Sequence, residues 1–578
     1  MDYKKLYEEW LSNPYFDEET KKELEAIKDD ENEIKERFYK ELEFGTAGLR
    51  GVIGAGINRM NIYVVRRATQ GLANYIIKQR GQGKGVAIAY DSRRMSPEFA
   101  MEAAMTLAAN GIKAYKFESL RPTPELSFAV RELGCIAGIN ITASHNPPEY
   151  NGYKVYWEDG AQFTPPHDKG VTEEVLAIED LSTVKTTDEA SAIAAGKYEV
   201  IGKEIDDKYI AQVKAQVVNQ KAIDEMQDQI TIIYSPLHGT GNIPARRVMK
   251  ELGFEHVYVV PEQELPDGNF PTVSYPNPEA KEAFELGLKM AKEKNADLVL
   301  ATDPDADRLG VYVKDDKSGE YIPLTGNMSG ALLCEYVLSQ KQAAGKIPED
   351  GQVVKSIVST NLIDAVAKAY NTELIEVLTG FKWIGQQILK NEHTGKGTYL
   401  FGMEESYGCL IGSYARDKDA ISATAALCEA AAYYKTQNMT LWDAMIAMYE
   451  KYGYYKDAVK SIGLSGIEGL AKIQAIMENL RTNTPKEVGG YKVVSARDYK
   501  LDTIKDMATG QVKPTGLPSS NVLYYDMEDG VWMCVRPSGT EPKIKFYYGV
   551  KGASLEDADK KAADMGAAVQ AMVDEMLK

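Results

Sequence analysis

Apolar and polar positions follow two rhythms along the chain. In residues 2–43, Tyr, Trp, Leu and Phe form a packing face among Glu and Lys, which predicts two or three helices. A helical pattern returns from Val64 to Arg80. It leads into Gly85-Val86-Ala87-Ile88-Ala89-Tyr90, an apolar run that reads as a buried strand. Asp91-Ser92-Arg93-Arg94 ends that strand, and a helix opens at Ser96-Pro97. The same order recurs at Ile230–Tyr234 and at Val353–Val358, each a strand, then a polar loop, then a helix. Three such openings predict three α/β domains of similar build, with ligands gathered at the carboxyl ends of their strands.

Softer signals mark the boundaries. Residues 178–205 are polar and weakly periodic and close the first domain, and a junction falls near Tyr321-Ile322-Pro323-Leu324. The third domain ends in helices near Tyr452. Residues 455–530 mix short strands with turns, and a last helix spans about Ser554 to Leu577, with Ser554 as its N-cap. The expected domains are 1–205, 206–322, 323–455 and 456–578.

A chain of 578 residues suits that number of domains, at ~150 residues each. Asp and Glu outnumber Lys and Arg by 85 to 67, for a net charge of −18, which argues against nucleic acid as the main partner. A local cluster of Arg and Lys still leaves room for an anionic substrate. The N-terminus runs straight into a charged helical pattern, and no segment approaches a membrane span. The five cysteines are scattered, with no Cys-x-x-Cys pair, so the expectation is reduced core residues in a cytoplasmic protein.

Chemistry concentrates in a few loops. The apolar run Cys135–Ile141 reads as a strand leading into Thr-Ala-Ser-His-Asn-Pro-Pro, 142–148, which can continue neither strand nor helix. This fixed loop offers Ser144 and His145 at its tip, and Lys154 follows after the Asn151-Gly152 turn. Hydroxyl, imidazole and amine are parts for nucleophilic chemistry. Upstream, the glycine-rich stretch 44–51 carries Arg50, a planar fork for phosphate.

Between two apolar strands, residues 303–308 read Asp-Pro-Asp-Ala-Asp-Arg. Asp303, Asp305 and Asp307 at alternate positions can converge on one hard cation, and Mg²⁺ held this way would keep positions open for a phosphate. The spacing is not that of an EF-hand: Arg308 sits where that loop needs glycine. Thr379, Gly380 and Lys382 at a strand–helix connection suit a sugar hydroxyl or a phosphate. Glu404 and Ser406, in Gly-Met-Glu-Glu-Ser-Tyr-Gly, suit paired hydroxyls. Arg536, Ser538, Gly539, Thr540 and Lys543, between two C-terminal strands, have the composition of an anion nest. His238, in Pro-Leu-His-Gly-Thr-Gly, reads as a structural histidine.

Four of these motifs in order, Thr-Ala-Ser-His-Asn-Pro, Asp-Pro-Asp-Ala-Asp-Arg, Gly-Met-Glu-Glu-Ser and Arg-Pro-Ser-Gly-Thr-Glu-Pro, resemble the α-D-phosphohexomutase superfamily from about Gly45 onward. The nearest likeness is to its bacterial phosphoglucomutases and their phosphopentomutase-like subgroup. The resemblance implies four domains around a central cleft. Three would be related α/β domains with mixed sheets, and the fourth a smaller α+β domain like the TATA-binding protein. It further implies a phosphoserine at Ser144, with Mg²⁺ held by Asp303, Asp305, Asp307 and that phosphate. Lys154 would be the general acid/base, with Arg50, His145 and Arg308 nearby. Glu404 and Ser406 would hold sugar hydroxyls, and Arg536, Ser538, Gly539, Thr540 and Lys543 the non-reacting phosphate.

The implied reaction interconverts glucose 1- and 6-phosphates, primed by glucose 1,6-bisphosphate, in a monomer or homodimer. Phosphomannomutase, phosphopentomutase and glucose-1,6-bisphosphate synthase stand as alternatives within the superfamily. A phosphohydrolase or a non-catalytic phosphosugar-binding protein are the alternatives outside it. The N-terminal helices take no role from the resemblance.

Overall fold

The structure, a computed structural model, describes residues 2–44, 48–464, 466–538 and 543–578. These residues form two compact units, one of residues up to 326 together with 381–441, the other of 327–380 together with 442–578. The fold is α/β, with mixed sheets and a C-terminal domain of different build.

In the first unit, the N-terminal region forms the helices Tyr3–Ser12, Glu18–Ala26 and Glu31–Phe38. Asp2, Asp17 and Asp30 cap them by accepting backbone N–H bonds. Their aromatic faces close on the next helix, Ile62–Lys78: Trp10 stacks on Phe16, and both meet Tyr63 edge-on.

The first sheet is centred on Val86–Tyr90, which pairs in parallel with Ala114–Phe117 and Ala137–Ile141. Tyr198–Ile201 extends it in parallel on one side. On the other side, Tyr150–Trp157 returns antiparallel to Ala137–Ile141, and Gly48–Val52 lines up antiparallel beyond it. That register sets Arg50 opposite Gly152 and Gly48 opposite Lys154. The close approach requires glycine: a Cβ on Gly48 would lie 1.8 Å from the Tyr153 carbonyl oxygen.

The second sheet repeats the plan. Thr231–Ser235 pairs in parallel with His256–Val259 and with Leu298–Thr302, and Leu309–Lys314 turns back antiparallel. Tyr321–Leu324, where the sequence suggests a domain junction, forms the edge strand of this sheet. The first unit also holds the antiparallel hairpin of Thr398–Glu404 and Gly408–Ile411. His238 bridges the Leu265 carbonyl and the Thr272 hydroxyl, each at 3.0 Å, in line with a structural role.

The second unit contains the parallel pair Gly351–Ser356 and Glu373–Val377. It also holds a C-terminal antiparallel sheet in which Trp532–Pro537 lies between Leu523–Met527 and Lys543–Gly552. Two helices cover one face of that sheet. Leu555–Met576 starts at the Ser554 cap, as its sequence predicts. Gly466–Thr482 lies in a stretch read from sequence as strands and turns. Glycines at its start obscure a helical stripe, Ile473, Ile476, Met477 and Leu480, that packs on Val535 and Phe546.

Among the described residues, no helix is long and apolar enough to cross a membrane. All five cysteines are buried, and burial pushes the thiols of Cys135 and Cys409 up to about 12. The native chain is therefore expected to yield no thiol to an aromatic disulfide reagent at neutral pH, and all five after denaturation. Rapid reaction of any thiol in the native chain would contradict this packing.

Candidate active site

The strand Ala137–Ile141 delivers a loop whose apex, Ser144, adopts a left-handed backbone (φ 51°) and is 3% exposed. Ser144 N–H donates to Thr142 Oγ1 at 2.8 Å. Its own hydroxyl donates to Asp303 Oδ2 at 2.6 Å and lies 3.2 Å from His145 Nδ1. Residues far apart in sequence thus meet at one hydroxyl.

Asp303, Asp305 and Asp307 lie in the tight turn between Leu298–Thr302 and Leu309–Lys314. Asp303 Oδ1 accepts the N–H groups of Asp307 and Arg308 at 3.1 and 3.0 Å, and Ala306 takes a positive φ to close the turn. All three aspartates are buried, with one oxygen from each within 4.8 Å of the others. Among the described residues, Oδ1 of Asp305 and Oδ1 of Asp307 are buried without a hydrogen-bond partner. Converging carboxylates with orphaned oxygens fit a hard divalent cation.

The electrostatics follow from that crowding. Burial, then Asp305 and Asp307, push the Asp303 carboxyl well above its ordinary value. Burial is also the largest single influence on Asp305 and opposes its ionisation, but the Lys154 charge and the hydrogen bonds from Asp303, Lys154 and Thr123 together outweigh it and hold that carboxyl far below the carboxylate range. Lys154, on Tyr150–Trp157, donates to Asp305 Oδ2 at 2.7 Å and lies 3.6 Å from Asp307 Oδ2. Burial disfavours its charge, and the two aspartates restore it and raise its pKa. His145 is pushed the other way: burial, with Arg308 and Arg50 near, holds its imidazole well below the usual value.

The remaining expected residues fall into three groups. Arg50 reaches the same loop, donating to Asn146 Oδ1 at 3.1 Å. Arg308 turns toward Glu279, donating at 3.0 Å, with its Nε 3.8 Å from Asp307. Glu404 is buried at the end of its strand, and the turn after it docks on the aspartate hairpin through Leu309 N–H to Tyr407 O, 3.0 Å. Ser406 lies half-buried in that turn, and Lys382 opens the helix Lys382–Thr394 with its ammonium 5.0 Å from the Trp383 ring.

Thr379, Gly380, Arg536, Ser538 and Lys543 belong to the second unit. There, Arg536 pairs in register with Lys545, and Ser538 N–H donates to Lys543 O at 2.7 Å, closing the strand ends into a hairpin. Gly539 and Thr540 lie outside the described residues.

Two participants escape sequence reasoning. Lys418 is buried with Nζ 3.2 Å from Asp307 Oδ2 and 3.0 Å from Asp417 Oδ1, a second ammonium at the aspartate cluster. Ala420 N–H donates to Ala306 O at 3.2 Å, which ties its segment to the turn. In sequence, Arg416-Asp417-Lys418-Asp419 reads as an ordinary charged loop. Thr123, at the start of Thr123–Glu132, donates its N–H to Asp305 O (2.9 Å) and its hydroxyl to Asp305 Oδ2 (2.7 Å). The apolar context of that helix carries no sign of this contact.

Comparison with known proteins covers most of the chain. The family models described as phosphoglucomutase/phosphomannomutase alpha/beta/alpha domains I, II and III match residues 41–182, 207–319 and 325–452. The model of the family's C-terminal domain matches residues 473–565. The chain is 35% identical to a phosphoglucomutase of Staphylococcus saprophyticus over 527 residues, spanning 91% of this chain and 94% of the relative. It is 36% identical to a phosphoglucomutase of Staphylococcus aureus, over 92% of this chain and 93% of that one.

Two crystal structures share the fold. One is a phosphoglucomutase/phosphomannomutase family protein from Burkholderia thailandensis, with TM-score 0.63 and 20% identity, covering 91% of this chain and 97% of that one. The other is the Paramecium phosphoprotein parafusin, with TM-score 0.67 and 18% identity, covering 93% and 95%.

Proposed function

Because the chain belongs to the phosphoglucomutase/phosphomannomutase family of the α-D-phosphohexomutase superfamily, and is an intramolecular phosphotransferase of the isomerase class, we propose that it is a Mg²⁺-dependent phosphoglucomutase. It interconverts glucose 1-phosphate and glucose 6-phosphate through a phosphate carried on Ser144 and a glucose 1,6-bisphosphate intermediate. The observation that carries this reading is the 2.6 Å hydrogen bond from Ser144 Oγ to Asp303, which joins a nucleophile to a cation-binding cluster. Glucose is preferred over mannose or pentose because the curated relatives are named phosphoglucomutases.

In phosphoryl transfer the protein mainly positions groups and balances charge. Bound at Asp303, Asp305 and Asp307, Mg²⁺ would neutralise charge on the transferring group. Lys154 and Lys418 add two ammonium groups at the same cluster, against the nearly −2 charge of a phosphoserine. Lys154 is the proposed proton carrier for the sugar hydroxyl, and His145 Nδ1 braces Ser144 Oγ. Arg50 steadies the loop through Asn146, and Arg308 contributes positive charge beside Asp307.

Glu404 and Ser406, with Thr379, Gly380 and Lys382, are the proposed sugar contacts. Arg536, Ser538, Gly539, Thr540 and Lys543 are the proposed anchor for the non-reacting phosphate. One fixed phosphate anchor and one tolerant sugar site suit a bisphosphate that must react from both ends.

Coupled assays with Mg²⁺ and glucose 1,6-bisphosphate, on the 1-phosphates of glucose, mannose and ribose, test the reading. The highest kcat/KM is expected for glucose 1-phosphate, with dependence on the bisphosphate primer. A higher value for mannose or ribose would move the chain to another mutase. Release of inorganic phosphate without primer would make it a hydrolase.

A further inference from the structure

The Ser144 loop presents an unusual problem in hydrogen bonding. Pro147 and Pro148 bring no N–H groups, and four carbonyls of the loop, those of Ser144, Asn146, Pro147 and Tyr150, converge on one place, buried or partly buried. Buried carbonyls need donors. One side chain donates to all four, with the Tyr150 N–H as a second donor to Pro147: Arg93, which is 1% exposed and follows the strand Val86–Tyr90. Its Nη2 donates to the carbonyls of Ser144 and Asn146, each at 2.5 Å. Its Nη1 donates to those of Pro147 and Tyr150 at 2.8 and 3.1 Å.

On its remaining sides the guanidinium is flanked by a carboxylate, without a hydrogen bond from Nε, and by a ring. Its Nε lies 3.4 Å from Asp91 Oδ2, and its plane sits 5.1 Å from the centre of the Phe270 ring. Asp91 closes a second path to the same loop. It accepts from Thr142 Oγ1 at 2.7 Å, and that oxygen accepts the Ser144 N–H at 2.8 Å. Asp91 Oδ1 also takes the Arg93 N–H and the Ser96 hydroxyl, so the carboxylate cannot swing away without breaking both. Ser144 is thus gripped by its N–H through Thr142 and by its C=O through Arg93 while it holds a left-handed backbone that L side chains rarely adopt.

We infer that Arg93 is a positioning residue for phosphoryl transfer. Its planar fork holds residues 144–150 so that Ser144 Oγ stands at the aspartate cluster in both halves of the reaction. The inference rests on Ser144 as the phosphate carrier. Transfer needs the attacking and leaving oxygens in line, and a small displacement of the carrier is felt in the chemical step more than in substrate binding. A lysine in place of Arg93 keeps the charge, but its single ammonium cannot span four carbonyls from Ser144 to Tyr150.

The test compares R93K and R93A with the unmodified chain, using glucose 1-phosphate, Mg²⁺ and glucose 1,6-bisphosphate. In R93K, kcat is expected to fall ~100-fold or more, with KM held within about threefold. Amide exchange should quicken in residues 142–150 and stay unchanged in the rest of the first domain. Added guanidinium should return part of the kcat of R93A.

Two results would overturn the inference. One is an R93K enzyme with kcat within about threefold of the parent. The other is loss of activity that follows a fall in melting temperature with faster exchange throughout the domain, because Arg93 would then only support the fold. If the unmodified chain takes no phosphate on Ser144 from the bisphosphate, the carrier reading fails, and this inference fails with it. That result is visible before any Arg93 variant is made.

Discussion

Replacing Ser144 by Ala is expected to lower mutase kcat by on the order of 10⁴-fold or more, with the fold intact. The substitution removes one buried hydroxyl and leaves the Cβ, so the packing of the loop is kept. The four carbonyl bonds of the loop do not involve the hydroxyl and should survive. What is lost is the atom proposed to carry phosphate, the hydroxyl that donates to Asp303. The same variant separates reaction classes. A hydrolase that activates water at the aspartate cluster would still release inorganic phosphate without Ser144, whereas a carrier mechanism stops altogether. Coupled assay of mutase activity and colorimetric assay of free phosphate, on one preparation, give both readings. Substantial mutase activity in S144A would sink the phosphoserine mechanism.

The second large effect concerns the aspartates. Chelation of divalent metal is expected to abolish turnover, and Mg²⁺ to restore it. Asp303→Asn should cost on the order of 10³-fold in kcat, since it removes charge where the transition state needs it. Stability should move the other way in metal-free buffer. Burial and its neighbours raise the folded pKa of Asp303 above its ordinary value of 3.8. The native state therefore keeps a proton that the unfolded chain has released. Stability from this group is greatest at acid pH and declines as pH rises from the ordinary value through the raised one. At neutral pH the neutral amide removes that penalty, so metal-free Asp303→Asn should melt above the metal-free parent. Mg²⁺ should reverse the order. Binding at 100 times Kd stabilises the parent by about 2.7 kcal/mol, and the variant should gain little. A parent whose melting temperature ignores Mg²⁺, or that turns over fully in excess chelator, would contradict the metal assignment.

Much of this site is legible in sequence because its loops are short and bounded by apolar strands. Ser144, Asp303, Asp305, Asp307 and Glu404 each follow an apolar run that ends abruptly, so strand ends could be read without knowing which strands are neighbours. Lys154 was placed by a turn read at Asn151-Gly152, but both residues lie inside the strand Tyr150–Trp157, and the chain reverses earlier, through residues 142–149, where the prolines stop the strand. What stayed hidden is what depends on the meeting of distant segments. Lys418 and Thr123 reach the aspartates from elements whose local composition is ordinary. Arg93 is visible in sequence only as part of a polar strand end, and its grip on four carbonyls exists only once two loops of the first sheet are side by side. Arg308 was expected near the phosphate, and its pairing with Glu279 could not be read from the aspartate motif. The helix Gly466–Thr482 was missed for a local reason: glycines at its start mask the stripe that docks on the C-terminal sheet.

The central claim is that Ser144 carries the phosphate between the two positions of the sugar. Intact mass and peptide mapping after incubation with glucose 1,6-bisphosphate and Mg²⁺ test it most directly. One added phosphoryl group on the peptide containing Ser144, discharged when glucose 1-phosphate or glucose 6-phosphate is supplied, is the predicted result. An enzyme that turns over while Ser144 stays unmodified, or whose phosphate maps to another residue, would contradict the account.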